Sequence, residues 1–210
     1  MQMAFCEMVN SSSFKHKLVK PAFVEMLAQV VEHGEDSKSQ QASEFLKVTF
    51  NVVESLAKHS KLLNQHQAEF LRKLTPAIAQ KIVSENADVR FTALKVFTDY
   101  VTQFMCEEKI YQPQENSQTT QWLNELLLKK FLANIAIVFT DKDPMPLYGL
   151  KLLSVIVERN QAFVMILRRL ELVSHMFEYF EVGHAKFNAF TVKIIRAIVA
   201  SREIELTELL

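Results

Sequence analysis

The sequence predicts an all-α protein built from long helices. Among its 210 residues only three are glycine and five are proline, whereas those two residue types make up roughly 12% of an average protein. With so few turn-forming residues, glycine-rich phosphate loops, doubly wound sheets and β-sandwiches are poorly compatible with the chain. Apolar residues recur with helical spacing from end to end, and no segment alternates convincingly as a strand would.

Proline, glycine and polar residues mark where these helices begin and end. Pro21 suits the first position of a helix, and Gly34 suits the position just after its end. Asp88 is expected to cap a later helix, and Pro144 to open another. We expect helices at about Pro21–His33, Gln40–His59, Leu62–Leu74, Pro76–Val83, Val89–Met105, Trp122–Val138, Met145–Glu158, Ala162–Glu178 and Phe187–Ala200.

The apolar stripes of these helices predict the core. Sixteen phenylalanines are present, and most lie on predicted inner faces, where packing is their expected role. The predicted stripe of the first helix is Phe23, Met26, Leu27, Val30 and Val31; that of the second is Phe45, Val48, Val52 and Leu56; and that of the fifth is Val89, Ala93, Val96, Phe97, Tyr100, Val101 and Phe104. Phe163 and Phe187 are expected to be buried in the same way.

Charge and cysteine content restrict the classes of partner. Lys plus Arg and Asp plus Glu are both 24, so the formal net charge is zero, whereas nucleic-acid and anionic-membrane binders usually carry a basic excess. The longest charge-free apolar run, Phe131–Thr140, is too short to span a bilayer. Cys6 and Cys106 are too few for a disulfide scaffold, and the first residues lack a signal peptide. We therefore expect a cytoplasmic protein that binds neither nucleic acid nor membranes.

An internal repeat organises the chain. A lysine beside apolar residues recurs in four predicted helices, at Lys47, Lys95, Lys151 and Lys193, in steps of 48, 56 and 42 residues. HEAT and armadillo repeats have periods of about 40–47 residues. The sequence therefore predicts an α-solenoid of about four HEAT- or armadillo-like repeats, with residues 1–210 as one helical-repeat domain that is part of a longer solenoid. A four-helix bundle with added helices is the competing architecture.

Two segments carry a resemblance to known families. Asp88-Val89-Arg90 followed by Ala93-Leu94 resembles the start of the second helix in HEAT and armadillo repeats. The segment from Asp143 to Leu153 is similar to the helical-repeat tail of the Unc-51-like and Fused-like kinases, a group that includes a pseudokinase. The resemblance implies a scaffold linked to microtubules, cilia or neuronal development, associated with the cytoskeleton or the cilium. The chain itself lacks the glycine loop, His-Arg-Asp and Asp-Phe-Gly motifs of a kinase.

No residue pattern indicates catalysis or cofactor binding. The six histidines are scattered, and none has a carboxylate at a metal-ligand spacing. Asp141 and Asp143 flank Lys142 before Pro144, where helix capping explains them better than acid–base chemistry. We expect no catalytic residue, no metal and no cofactor, and therefore a protein that is not an enzyme.

Binding of other proteins is the function that this architecture favours. The repeated Lys47, Lys95, Lys151 and Lys193 must point outward or extend along the surface to reach solvent, and we expect them to meet an acidic segment of a protein partner. A compact all-α regulatory domain that binds a small apolar ligand between helices is the alternative.

Two further expectations concern exposed segments. The polar stretch 112–120 is predicted to be a mobile loop and the first site of proteolytic cutting. Terminal solenoid repeats need a polar cap, yet the last residues form an apolar pattern, so we expect self-association through this end. Its apolar residues are Ile204, Leu206, Leu209 and Leu210.

Overall fold

The computed structural model describes residues 17–35, 39–115, 117–172 and 185–201. All regular secondary structure in these ranges is helical. The chain divides into two compact units, Met1–Val138 and Phe139–Leu210. Across the described ranges, no helix combines the length and the apolar character that crossing a membrane requires. The apolar residues from Ile204 to Leu210, and the self-association predicted from them, lie outside the described residues.

In the first unit, α1 and α2 form one helix pair, and α5 and α6 form the next. Helix α1 packs on α2 and on the α5 segment, α2 packs on α6, and α5 packs on α6. A helix pair thus contacts the next pair through both of its members, as expected for stacked repeats. The helices are α1 (Pro21–His33), α2 (Gln40–Ala57), α3 (Ser60–Gln65), α4 (Gln67–Glu69), α5 (Thr75–Gln80), α6 (Ala87–Cys106) and α7 (Gln118–Leu126), and α8 (Ile135–Thr140) follows at the boundary.

The second unit contains three further helices. They are α9 (Met145–Arg159), α10 (Ala162–Arg169) and α11 (Ala185–Ser201), and each packs on the other two. Helix α10 ends before the predicted Glu178, because the chain turns at Leu170 and Glu171 takes a left-handed φ of 55°. The remainder of that predicted helix lies outside the described residues.

Helix α6 confirms its predicted core stripe. All seven predicted residues are buried, and Leu94, Thr98 and Met105 are buried with them. Phe163 is also buried, whereas the side chain of Phe187 lies outside the described part. Because α6 contacts both α2 and α5, more than one of its faces is covered, which explains why its buried surface is wider than a single stripe.

The predicted stripes of α1 and α2 are partly wrong. Phe45 is 56% exposed and Met26 is 45% exposed. The buried residues of α2 are Leu46, Thr49, Phe50, Val52, Val53, Leu56 and Ala57, and those of α1 are Val24, Leu27, Ala28 and Val31. In both helices two overlapping sets of apolar residues have helical spacing, and the tertiary contacts select the set offset by one residue.

The residues predicted to open two helices are corrected, although the predicted first residue of α9, Met145, is confirmed. Asn86, not Asp88, caps α6: its Oδ1 accepts hydrogen bonds from the backbone N–H of Asp88 at 3.0 Å and of Val89 at 3.4 Å. Helix α9 begins at Met145, one residue after Pro144, and Pro146 occupies its first turn. Both Asn and Pro are common at these positions, so sequence preference alone places the start only to within one or two residues.

Pro76 does not start a new helix as predicted. A π-helical turn, Phe70–Leu74, connects α4 to α5, so the helical path continues through the proline. Proline has no N–H and its ring crowds the carbonyl four residues earlier. The π-helical turn lies directly before the proline, and the carbonyl of Phe70 accepts both the backbone N–H and the hydroxyl of Thr75, the latter at 2.8 Å.

The predicted loop 112–120 is shorter in the structure. Helix α7 begins at Gln118, and Ser117 caps it by accepting the backbone N–H of Thr120. The buried Thr120 hydroxyl accepts the N–H of Gln112 at 2.9 Å, and Thr119 donates to the carbonyl of Ile110 at 2.7 Å. These bonds hold the flanks of the segment together, and its mobility stays a prediction.

Candidate protein-interaction surface

The predicted repeat assigns each of the four lysines to the second helix of a pair. Lys47 is in α2 and Lys95 in α6 of the first unit, while Lys151 is in α9 and Lys193 in α11 of the second unit. Each lysine has at least one buried neighbour in the chain, although Val192 beside Lys193 is exposed. The charged ends of the four lysines have different surroundings.

Two of the lysines bind glutamates of the preceding second helix. The Lys95 ammonium lies 3.0 Å from Glu54 Oε1, which links α6 to α2. The Lys193 ammonium lies 3.5 Å from Glu158 Oε2, which links α11 to α9. Lys95 is the more enclosed, with about a third of its side chain exposed against half for Lys193. These lysines therefore connect neighbouring helices within each unit.

A sequence signal for these ion pairs was missed. Glu54 comes seven residues after Lys47, and Glu158 comes seven residues after Lys151. Seven residues are two helical turns, so each glutamate shares a helix face with the lysine that precedes it. The next second helix then brings its own lysine to that glutamate. The repeating unit is thus a lysine with a glutamate two turns later, and sequence reasoning noticed only the lysine.

The other two lysines differ from this pattern. The Lys151 ammonium lies 5.4 Å from the centre of the Tyr148 ring, within cation–π range. Lys47 is exposed, and no carboxylate of the described residues lies within ion-pair distance of it. Lys47 is therefore the repeated lysine whose charge is most available to a partner.

Lys47 borders a groove between α2 and α6, which we call the α2–α6 groove. Buried Leu46, Phe50 and Val89 supply apolar surface, and partly exposed Phe91 adds an aromatic side. Lys47 and Asp88 place one charge of each sign in it. The complete lining is Leu46, Lys47, Phe50, Asn51, Asp88, Val89, Phe91 and Thr92.

A buried tyrosine fixes the spacing of the two helices that form this groove. The Tyr100 hydroxyl donates to the backbone carbonyl of Val53 at 2.9 Å, from α6 to α2. Its ring contacts those of Phe70 and Phe104 at centroid distances of 5.7 and 6.0 Å. Burial raises the pKa of the Tyr100 hydroxyl well above its ordinary value. The hydrogen bond thus joins the two helices whose other residues line the groove.

A family model places the chain among known repeat proteins. The model described as "Serine/threonine-protein kinase ULK4-like, HEAT repeats" matches residues 2–165. The chain belongs to this family. The match confirms the HEAT-type repeat and the resemblance to the Unc-51-like kinases that were predicted from the sequence, and the all-α fold agrees with both.

Two curated relatives support the assignment. The serine/threonine-protein kinase RUNKEL of Arabidopsis thaliana is 28% identical over 200 residues, which are 94% of this chain and 14% of the relative. The serine/threonine-protein kinase ULK4 of Mus musculus is 26% identical over 138 residues, 65% of this chain and 11% of the relative. The chain therefore spans less than a sixth of the length of either. No solved structure matches it.

The part of these ULK4-like HEAT repeats that the structure describes presents no site for metal chemistry. No three His, Cys, Asp or Glu side chains are grouped there in a way that could hold a metal ion. The surface features that remain are grooves between helices, with charged residues at their edges. Such surfaces suit the binding of another polypeptide.

Proposed function

We propose that this chain is a protein-binding scaffold of a ULK4-like kinase and that it performs no catalysis of its own. HEAT repeats present extended helical surfaces to partners, and the sequence contains none of the motifs that kinases use for phosphoryl transfer. The word kinase in the relatives' names describes proteins at least seven times longer than the matched segment. Phosphoryl transfer in such proteins is expected from other residues.

The α2–α6 groove is the proposed binding site, and the exposed Lys47 beside its apolar lining is the observation that carries the proposal. A partner segment with an acidic side chain at Lys47 and an apolar side chain against Phe50 and Phe91 would satisfy both features. The other repeated lysines contribute less, because Lys95 and Lys193 already bind glutamates and Lys151 lies over Tyr148.

The cellular setting follows from the family resemblance. We propose a cytoplasmic scaffold, associated with microtubules or cilia, and a protein rather than a nucleic acid or a membrane as its partner. The zero formal net charge is in keeping with a protein partner, since nucleic-acid binding draws on a basic excess.

Site-specific photocrosslinking tests this proposal. Asn51 lines the groove and is exposed, so a benzophenone amino acid placed there would capture a bound partner in cells. Gln65, exposed at the end of α3, serves as the control position. We expect a discrete protein adduct from position 51 that is absent from position 65 and is lost when Lys47→Glu is added. Equal adducts from both positions, or an adduct unaffected by Lys47→Glu, would contradict the proposal.

A further inference from the structure

A second groove lies in the first unit and shares no residue with the α2–α6 groove. One wall of this groove is the π-helical turn Phe70–Leu74 together with α5. The other wall is α7 together with the π-helical turn that follows it. We call it the Trp122 groove. Its lining is Leu71, Arg72, Pro76, Trp122, Glu125, Leu126, Lys129 and Lys130.

An arginine is held in place over the only tryptophan of the chain. The guanidinium carbon of Arg72 lies 5.1 Å from the centre of the Trp122 ring. Stacking uses the flat face of a guanidinium and leaves the N–H groups at its edge available. Within the described residues, no oxygen lies at hydrogen-bond distance from these groups. Arg72 is exposed, so its donors are positioned and accessible.

The charges around this groove leave two cations without a carboxylate. Lys129 contacts Glu125, and the nearby Lys73 lies 2.8 Å from Glu25 of α1. Arg72 and Lys130 make no ion pair with any described carboxylate. Both also line the adjoining depression beside α1, whose lining includes Glu25, already paired with Lys73, and Glu32. A positive site therefore remains at the junction of the two depressions.

Apolar surface lies directly beside these cations. Leu71 and Leu126 form a buried floor, Pro76 adds an apolar edge, and Trp122 is half-buried. A carboxylate next to an apolar side chain matches this arrangement better than a polyphosphate backbone does. RNA binding draws on several cations and on aromatic faces that are open for stacking, whereas Arg72 already covers a face of Trp122.

We propose that the Trp122 groove binds an acidic segment of a partner protein, distinct from the segment that the α2–α6 groove receives. An Asp or Glu of that segment accepts two hydrogen bonds from the edge of Arg72, in the bidentate geometry that guanidinium favours. A second acidic residue reaches Lys130, and an apolar residue between them packs on Pro76 and Trp122. Because Trp122 already holds Arg72 in position, little side-chain entropy is lost on binding.

The fluorescence of Trp122 provides a direct test, because no other tryptophan contributes to the signal. The probe is a twelve-residue peptide of Glu, Asp and Leu without aromatic residues, titrated into the full chain at about 50 mM salt, where surface charge acts over a longer range than at physiological salt. We expect a saturable change in the Trp122 emission as the peptide is added. The variant Arg72→Gln with Lys130→Gln should weaken binding at least tenfold. The matched control, Lys61→Gln with Lys142→Gln, removes two other exposed lysines and should leave the affinity within twofold.

Further measurements can overturn the proposal without relying on the double variant. In the unaltered chain, iodide should quench Trp122 more strongly than caesium at equal ionic strength, because the local charge is positive. Lys47→Glu should leave the titration unchanged, which separates this groove from the proposed function. Equal binding of the Gln/Asn/Leu version of the peptide, stronger binding of a twelve-residue oligouridylate, preferential quenching by caesium, or equal weakening by Lys47→Glu would each contradict it.

Discussion

At Gly34, where α1 ends, the chain passes too close to its surroundings for any side chain. A Cβ at this position would lie 2.6 Å from the carbonyl oxygen of Val30 and 2.9 Å from Cδ1 of Leu46. The φ of Gly34 is −64°, an ordinary right-handed value. Glycine was expected here as the residue that follows the helix end, and the structure requires it for space, since the Val30 carbonyl and Leu46 of α2 both lie directly beside it.

We predict that Gly34→Ala lowers the free energy of unfolding by about 1–2 kcal/mol. The clash costs about 1–3 kcal/mol, and the lower entropy of the unfolded chain offsets part of it. Urea unfolding followed by circular dichroism measures the change. Ser43→Ala, at an exposed position of α2, should differ from the parent by less than about 0.5 kcal/mol. Equal stability of Gly34→Ala and the parent would show that the close approach is absent.

The buried hydroxyl of Tyr100 makes stability depend on pH in the alkaline range. Burial raises its pKa in the folded state, whereas an unfolded tyrosine titrates near pH 10. Below about pH 10 both states keep the proton, and above it the unfolded state alone releases the proton, so the folded state loses stability as pH rises.

We predict two opposite effects of Tyr100→Phe. At pH 7 it should destabilise the protein by about 1 kcal/mol, because the hydrogen bond to Val53 is lost. Above about pH 10 its stability should fall less steeply than that of the parent, because the raised-pKa group is gone. Urea midpoints between pH 7 and 11 for the two proteins check both effects. Parallel pH profiles would contradict the account of Tyr100.

Between elements, the ion pair of Lys95 with Glu54 joins the second helices α2 and α6. It is partly shielded from solvent, with 34% and 22% of the two side chains exposed. Glu54 also lies 3.7 Å from Lys58, an exposed residue of the next turn. A charge reversal at Lys95 would therefore place a second carboxylate beside Glu54, and stability would fall together with any effect on binding.

A double-mutant cycle with Lys95→Met and Glu54→Gln measures this coupling. We predict an interaction free energy of about 0.5–1 kcal/mol that decreases at high salt. The corresponding cycle with Lys58→Met should give a smaller value, because Lys58 is farther from Glu54 and more exposed. A coupling indistinguishable from zero at low salt would mean that the repeated lysine does not connect the helices.

The sequence predicts some elements well because their signal is local. The stripe of α6 is spaced with a period near 3.6 residues and is wholly buried, as expected. The buried face of α2 is harder to predict, because Phe45 and Leu46 each begin a series of apolar residues with helical spacing. Only the positions of α1 and α6 decide which of the two series faces the core. The same limit applies to the candidate site: Lys47 and Lys95 look equivalent in the sequence, but only Lys95 is brought to Glu54.

For the whole molecule, balanced charge determines how a partner can be recognised. With 24 basic and 24 acidic residues, no strong overall field attracts a partner of either sign. Recognition then depends on local charge beside apolar surface. In the proposed function the local charge is Lys47, whereas the ion pairs of Lys95 and Lys193 join helices.

The most direct test is therefore the affinity of two matched charge reversals for the partner captured at position 51. Lys47→Glu and Lys61→Glu change the net charge equally, and both residues are exposed in the first unit. We predict that Lys47→Glu weakens binding at least tenfold in calorimetry at low salt and leaves the unfolding midpoint unchanged, whereas Lys61→Glu changes the affinity less than twofold. Equal affinities of the two variants would contradict binding through the α2–α6 groove.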